Sequence, residues 1–230
     1  MNSPLEGKKS SSVSTRNALM RAAEKLIAQK GIENVSIREI VEASGQKNQS
    51  ALQYHFENMQ GLIRAILESR NEEIHEKRTA MLKKILADNE KPALRDLCEV
   101  MVLPTFLLAK SNPAFCQFVI AFGHEIALTP NSALSLVEEK EIHGTSALQT
   151  SKLLRTALPH LNSGAYLQRM DSAVRLCSIS MSHHSRQKSA FQGPLADLFL
   201  NNLIDELVGL LSAPVSKETK AITKLIGSKT

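Results

Sequence analysis

The pattern that most constrains this chain lies between Ser14 and Leu67, where apolar residues recur three and four positions apart in runs broken by Gly31, Gly45 and Asn58. Such spacing marks amphipathic helices, not strands. Leu19, Ala22, Ala23, Leu26 and Ile27 form one face of a first helix, with Ser14 or Thr15 as its cap and Gly31 as its stop. Ser36 and Glu39 make an S-x-x-E capping box that opens a short second helix ending at Gly45. Asn48 or Ser50 caps a third helix through Tyr54. Asn58 opens a fourth, whose stripe of Leu62, Ile63, Ile66, Leu67, Arg70 and Ile74 continues toward Leu86. Two short helices joined by a tight turn present one helix end to the major groove of DNA.

The remainder also reads as helical. Ala93 to Lys110 follows Pro92, which suits a first helical turn. Ser111-Asn112-Pro113 breaks the chain before a helix from Ala114 to Leu128. Thr129-Pro130-Asn131 is a loop, and residues 136–158 form a polar-surfaced helix. Further helices cover 163–185 and Leu195 to Leu211, separated by Gln192-Gly193-Pro194. No alternating strand pattern and no internal repeat stands out. Four segments result: a disordered basic arm over 1–13, a helix-turn-helix domain over 14–58, a helical domain over 59–211 and a loose tail over 212–230.

Composition narrows the function classes. Hydrophobic residues make up 43% of the 230, enough for a sizeable core. The net charge is +5, and the basic residues Lys8, Lys9, Arg16, Arg21, Lys25 and Lys30 gather near the amino end, within reach of phosphates. Cys98, Cys116 and Cys177 are odd in number and widely spaced, so they make no disulfide framework or paired zinc motif. A cytoplasmic protein is expected: the amino terminus is polar, and no apolar run approaches the roughly 18 residues of a membrane span. His124-Glu125 opens like H-E-x-x-H, but Leu128 stands at the second histidine. His183-His184 read as a solvated helix end. There is no phosphate-binding glycine loop and no nucleophile elbow, so no enzyme, metal or cofactor is expected.

Ala22-Ala23, Gly31, Ser36-Ile37-Arg38-Glu39-Ile40, Ala43-Ser44-Gly45, Leu52, His55-Phe56 and Asn58 together make a combined pattern. On these residues the front of the chain resembles the DNA-binding domain of the TetR family of transcriptional regulators. The resemblance covers roughly the first quarter to third of the chain. It implies an all-α protein, with a three-helix amino-terminal helix-turn-helix domain and a helical carboxy-terminal ligand-binding and dimerisation domain. It further implies a homodimeric repressor. Three positions depart from the common family pattern. The turn after Gly45 is one residue longer, Gln53 replaces a usual aromatic, and Met59 stands where a phosphate-holding lysine is frequent.

A recognition helix uses its amino-terminal half on base edges and phosphates. Here that half supplies Lys47, Asn48, Gln49, Ser50, Gln53 and Tyr54. Asparagine and glutamine suit adenine, and lysine suits guanine or phosphate. Ser36 and Arg38 open the helix that crosses the backbone, although capping alone also explains Ser36. His55 and Phe56 read as structural, and Tyr54 fits either role. In the second domain, Met101, Thr105, Phe106, Phe115, Phe118 and Phe122 are candidate lining for an apolar or amphipathic small molecule. Residues 163–211 are the candidate homodimer interface: Tyr166, Met170, Ala173, Val174, Cys177 and Met181 recur at three-four spacing, and the Leu195–Leu211 stripe is wide. The expected function is a ligand-responsive repressor binding a palindromic duplex operator. The alternatives are a DNA-binding activator or architectural protein without an effector, and a helical adaptor that binds only protein.

Overall fold

The computed structural model describes residues 4–128 and 144–227. Among the described residues there are ten α-helices, one 3-10 turn (Ile32–Asn34) and no strand. The amino-terminal helices are α1 (Pro4–Lys30), α2 (Ile37–Ala43), α3 (Ser50–Phe56) and α4 (Met59–Asp88). Then come α5 (Leu94–Ser111), α6 (Pro113–Leu128), α7 (Gly144–Ala157), α8 (Ser163–Ser185), α9 (Gly193–Ser212) and α10 (Lys217–Gly227). The loop expected at Thr129-Pro130-Asn131 and the front of the helix expected from 136 lie outside the described residues.

Two terminal segments differ from expectation. Residues 4–13, read as a disordered arm, continue α1 toward the amino end. Their serine and lysine content masked a segment that opens with Pro4 and holds no stop signal stronger than Gly7. Within the tail read as loose, Ser216 caps α10 by accepting the Thr219 backbone N–H at 3.1 Å. Pro92 also falls just short of α5, whose first turn is closed by the Ala93 N–H donating to Asp96 at 3.0 Å.

One continuous core runs through the molecule. Leu19, Ala23 and Ile27 of α1 meet Ile40 of α2, Leu52 and Phe56 of α3, and Leu62 and Ile66 of α4. In the second domain α6 lies between α1 and α8, α9 covers α5 and α8, and α7 packs on α4 and α5. Arg95 of α5 ties to α9 through an ion pair with Asp205 and a 3.1 Å bond to Asn201.

The expected dimer stripe of α8 divides differently. Tyr166, Met170, Ala173 and Met181 are buried within their own subunit, and the Tyr166 hydroxyl donates to the Ser151 carbonyl at 2.7 Å. The apolar side chains that α8 and α9 leave exposed are Leu167, Ile179, Leu195 and Leu198. His184 is not solvated either. It is buried, its ring stacks on Phe199 at 3.7 Å, and its Nε2 meets the Ala190 carbonyl. The chain folds back after Ser185, so this helix end is covered by its own successor.

A polar joint binds the two domains. Arg70 of α4 donates from Nε and Nη2 to the two Glu24 oxygens of α1, at 2.7 and 2.8 Å, and from Nη1 to Glu73 at 2.7 Å. Glu24 is only 1% exposed, and the Arg70 guanidinium sits 5.5 Å from the Phe115 ring of α6. Burial lifts Glu24 above the ordinary carboxylate range, against the pull of Arg70. Nearby, Arg186 donates to the Ile120 carbonyl of α6 at 3.0 Å and the Ala28 carbonyl of α1 at 3.4 Å.

Two predictions follow from this packing. Arg70→Leu leaves Glu24 buried without its partner and should cost about 3–5 kcal/mol in urea unfolding, whereas Glu24→Leu with Arg70→Leu should recover most of that loss. Equal losses in both variants would refute a charge-based joint. For His184, burial disfavours the protonated ring and holds its pKa below the ordinary value. The unfolded chain therefore takes up this proton first, so the stability contribution is full above about pH 6.5 and is lost as pH falls through that value. Thermal melts between pH 7.5 and 5.5 should decline more steeply in the wild type than in His184→Phe.

Candidate nucleic-acid interface

The helix pair at the front is built from local signals. Ser36 and Glu39 form a reciprocal capping box: the Ser36 N–H donates to Glu39 Oε2 at 2.9 Å, and the Glu39 N–H donates to Ser36 Oγ at 3.3 Å. Lys30 Nζ adds a 2.6 Å bond to Glu39 Oε1, fastening the end of α1 to the start of α2. These donors, Lys30 foremost, hold the Glu39 carboxyl down at about 2. The site is exposed, so its electrostatic worth is screened by salt.

α2 ends at Ser44 and Gly45, and Gly45 has φ 75°, a conformation that favours glycine. Three residues later comes Asn48, just ahead of Gln49 at the cap position of α3. The Asn48 Oδ1 accepts from the Ser50 N–H and the Ser50 hydroxyl, both at 3.0 Å. The cap position is thus Gln49, between the two the sequence offered, while Asn48 steadies the first turn through Ser50 and keeps its Nδ2 as a donor. Leu52 and Phe56 anchor α3 inward, and Arg16 covers Phe56 with its guanidinium 5.3 Å from the ring centroid. His55 is half-buried, and burial together with the Arg16 charge lowers its pKa.

The outward face of α3 and its preceding turn gathers six of the eight candidate DNA residues. Lys47, Asn48, Gln49, Ser50, Gln53 and Tyr54 are all exposed, and Tyr54 is 80% exposed. A large aromatic standing this far into solvent, beside buried Leu52, is not serving the core. Ser36 and Arg38 are exposed at the start of α2, with the Ser36 hydroxyl engaged in the capping box. Met59, at the lysine-poor start of α4, is half-buried and packs on the core.

The hinge from α3 to α4 is tight. Glu57 has φ 66°, and the Asn58 side chain accepts the Gly61 N–H at 2.9 Å. A Cβ on Gly61 would stand 1.9 Å from the Phe56 carbonyl oxygen. That oxygen belongs to the backbone and cannot swing aside.

The candidate ligand residues are distributed otherwise. Phe115, Phe118 and Phe122 run along α6 in successive ring contacts of 5.4 and 5.5 Å, whereas Phe106 of α5 packs on Phe191 at 5.3 Å. All four are buried; Met101 and Thr105 are half-buried. A cleft of about 310 Å³ opens elsewhere, between Arg21, Glu24, Lys25 and Gln29 of α1 and Pro113, Ala114 and Gln117 of α6. None of the six candidates lines it. Arg70 and Arg186 were missed by sequence reasoning as joints, although a charged residue at apolar spacing, as Arg70 is, was a readable signal. Among the described residues no group of three His, Cys, Asp or Glu side chains is placed to hold a metal ion. Burial pushes the Cys98 and Cys177 thiols up to about 12. No single helix among the described residues is long and apolar enough to cross a membrane.

Gly61→Ala should therefore displace α3 against α4, costing about 1–3 kcal/mol by the strain of an overpacked contact. Urea unfolding measures the cost; wild-type stability would show that the hinge tolerates a side chain.

Residues 19–66 match the family model of bacterial regulatory proteins, tetR family. No curated protein matches the chain. Among solved structures, a protein from Rhodococcus sp. described as a TetR-family transcriptional regulator is 16% identical, with a TM-score of 0.52 over 86% of this chain and 96% of its own. GusR of Salmonella enterica is 20% identical, with a TM-score of 0.49 over 93% of this chain and 99% of its own. Residues 19–66 thus match the tetR family of bacterial regulatory proteins, and the chain shares its overall fold with a solved TetR-family transcriptional regulator.

Proposed function

We propose that this protein is a homodimeric repressor that binds a palindromic duplex operator and releases it when a small molecule enters the carboxy-terminal helices. The observation that carries the reading is the outward face of α3. Six polar or amphipathic side chains stand exposed there on a helix whose opposite face is locked into the core by Leu52 and Phe56. By side-chain chemistry Gln49 and Gln53 suit adenine edges, Lys47 a phosphate or guanine, and Asn48, Ser50 and Tyr54 flanking contacts. Arg38 and Ser36 meet the backbone from the start of α2.

Dimerisation is supported by Leu167, Ile179, Leu195 and Leu198, exposed apolar side chains on two adjacent helices; Leu195 is 76% exposed. A two-fold pairing of α8 and α9 would cover them and set two recognition helices on successive major grooves. Met101, Thr105, Phe106, Phe115, Phe118 and Phe122 remain the proposed apolar lining of the effector site. The effector must bind the operator-free arrangement more tightly than the bound one.

Selection of bound duplexes from a random library by the purified protein tests this directly. The expected product is a palindrome with half-sites about one helical turn apart. Bound DNA without a recoverable motif would point to the architectural alternative, and no binding at low salt would remove the DNA reading. On the recovered operator, Gln49→Ala or Gln53→Ala should weaken binding by about 1–3 kcal/mol where that residue reads a base. Lys47→Ala should reduce the salt slope by about one where it meets a phosphate. Gel-shift titrations across salt concentrations read both.

A further inference from the structure

Helix α4 carries one basic side chain unlike the rest. Every other Asp, Glu, Lys or Arg on it is exposed or, as with Arg70 and Glu73, ion-paired. Arg78 is half-buried and forms no hydrogen bond or ion pair among the described residues. Its register explains the burial. His75, Arg78, Thr79 and Leu82 fall three and four apart and so share a face. His75 Nδ1 lies 2.8 Å from Ser146 Oγ of α7, and Leu82 is buried. That face is therefore turned into the packing of α4 on α5 and α7. The Thr79 hydroxyl is buried there without a hydrogen-bond partner. Burial pulls the Arg78 guanidinium down to about 10, with no carboxylate among the described residues opposing it.

Desolvating a charged fork and a hydroxyl without partners is costly, and such groups concentrate where a protein binds something. We propose that Arg78 and Thr79, on the α4 face that packs on α5 and α7, form the recognition point for the acid group of a small carboxylate effector. A guanidinium offers paired N–H donors in the plane a carboxylate needs, and Thr79 supplies one more donor. One arginine balances one negative charge, which favours a carboxylate over a phosphate dianion in this setting. The proposal rests on the reading that the carboxy-terminal helices take an effector, and it names that effector's chemical class. It also supplies a route to the DNA: Arg78 lies two turns beyond Arg70 on the helix that begins next to α3.

The test is calorimetric titration of the full chain with hexanoate, octanoate and benzoate, each beside its primary amide, with octyl phosphate as the dianionic comparison. At least one acid should bind, its amide at least about tenfold more weakly, the loss expected for a charge-assisted hydrogen bond. Arg78→Gln should remove that preference while leaving the amide's affinity unchanged. Without any added compound, Arg78→Gln should melt at or above the wild type, because it removes a half-buried charge that has no partner among the described residues. A purely structural arginine would lower the melting temperature instead. Thr79→Val, which keeps the side-chain volume, should weaken the acid and not the amide, and it decides the matter if Arg78→Gln fails to fold. The proposal is overturned if no acid binds, if acid and amide bind equally, if neither variant affects the acid, or if octyl phosphate binds more tightly than octanoate. Acids and amides that bind equally and both release the operator would retain the effector reading while removing the acid class. Compounds that bind without altering operator affinity would retain the site and remove the effector reading.

Discussion

The fork of Arg70 on Glu24 is the contact on which the arrangement of the two halves depends. One guanidinium spans three helices: it grips the α1 carboxylate with two hydrogen bonds, takes Glu73 on its own helix, and lies against the Phe115 ring of α6. Apolar packing is tolerant of small slides, because dispersion and hydration are non-directional. A two-bond fork is not tolerant, since it fixes distance and plane together. The amino-terminal helices are thereby held to the body at one orientation, with Arg186 adding carbonyl contacts on both α1 and α6. A buried pair of this kind costs desolvation at both partners, so its benefit is geometric definition more than net stability.

That definition matters for a recognition helix of seven residues. α3 is too short to persist alone, since isolated helices below about 12 residues are marginal in water. Its position is set at both ends, by the Ser50–Asn48 hydrogen bonds and by the hinge at Glu57, Asn58 and Gly61, and beneath by Leu52 and Phe56. The hinge hands α3 directly to α4, which is also the partner of α1 through Arg70. In the proposed mechanism, any shift of α4 driven from the second domain is felt at α3 through the short Glu57–Asn58 link and at α1 through the ion pair. In the proposed dimer, small movements there would change the spacing of the two recognition helices.

Much of this was legible locally. The capping box at Ser36 and Glu39, the Asn58 cap, and the three-four stripes name most helices to within a few residues, because a helix needs only its own hydrogen bonds and one apolar face. Composition hid local helix at 4–13 and 217–227, where polar residues were weighed above the lack of stop signals. One apolar stripe also had two possible partners. Tyr166, Met170, Ala173 and Met181 looked available for a second subunit, yet α6 and their own subunit take them.

The sequence by itself determined the helical class, the caps, the short second and third helices and the outward polar face of α3, since each follows from contacts within a few residues. Only the tertiary structure decided which side chains pair across the chain. Arg70 finds Glu24 46 positions away, His184 is enclosed by Phe199, and Arg78 is half-buried on α4 with no counter-charge among the described residues. Helical periodicity states that a side chain faces inward, but not which other helix it will meet. That choice belongs to the packing of the whole core.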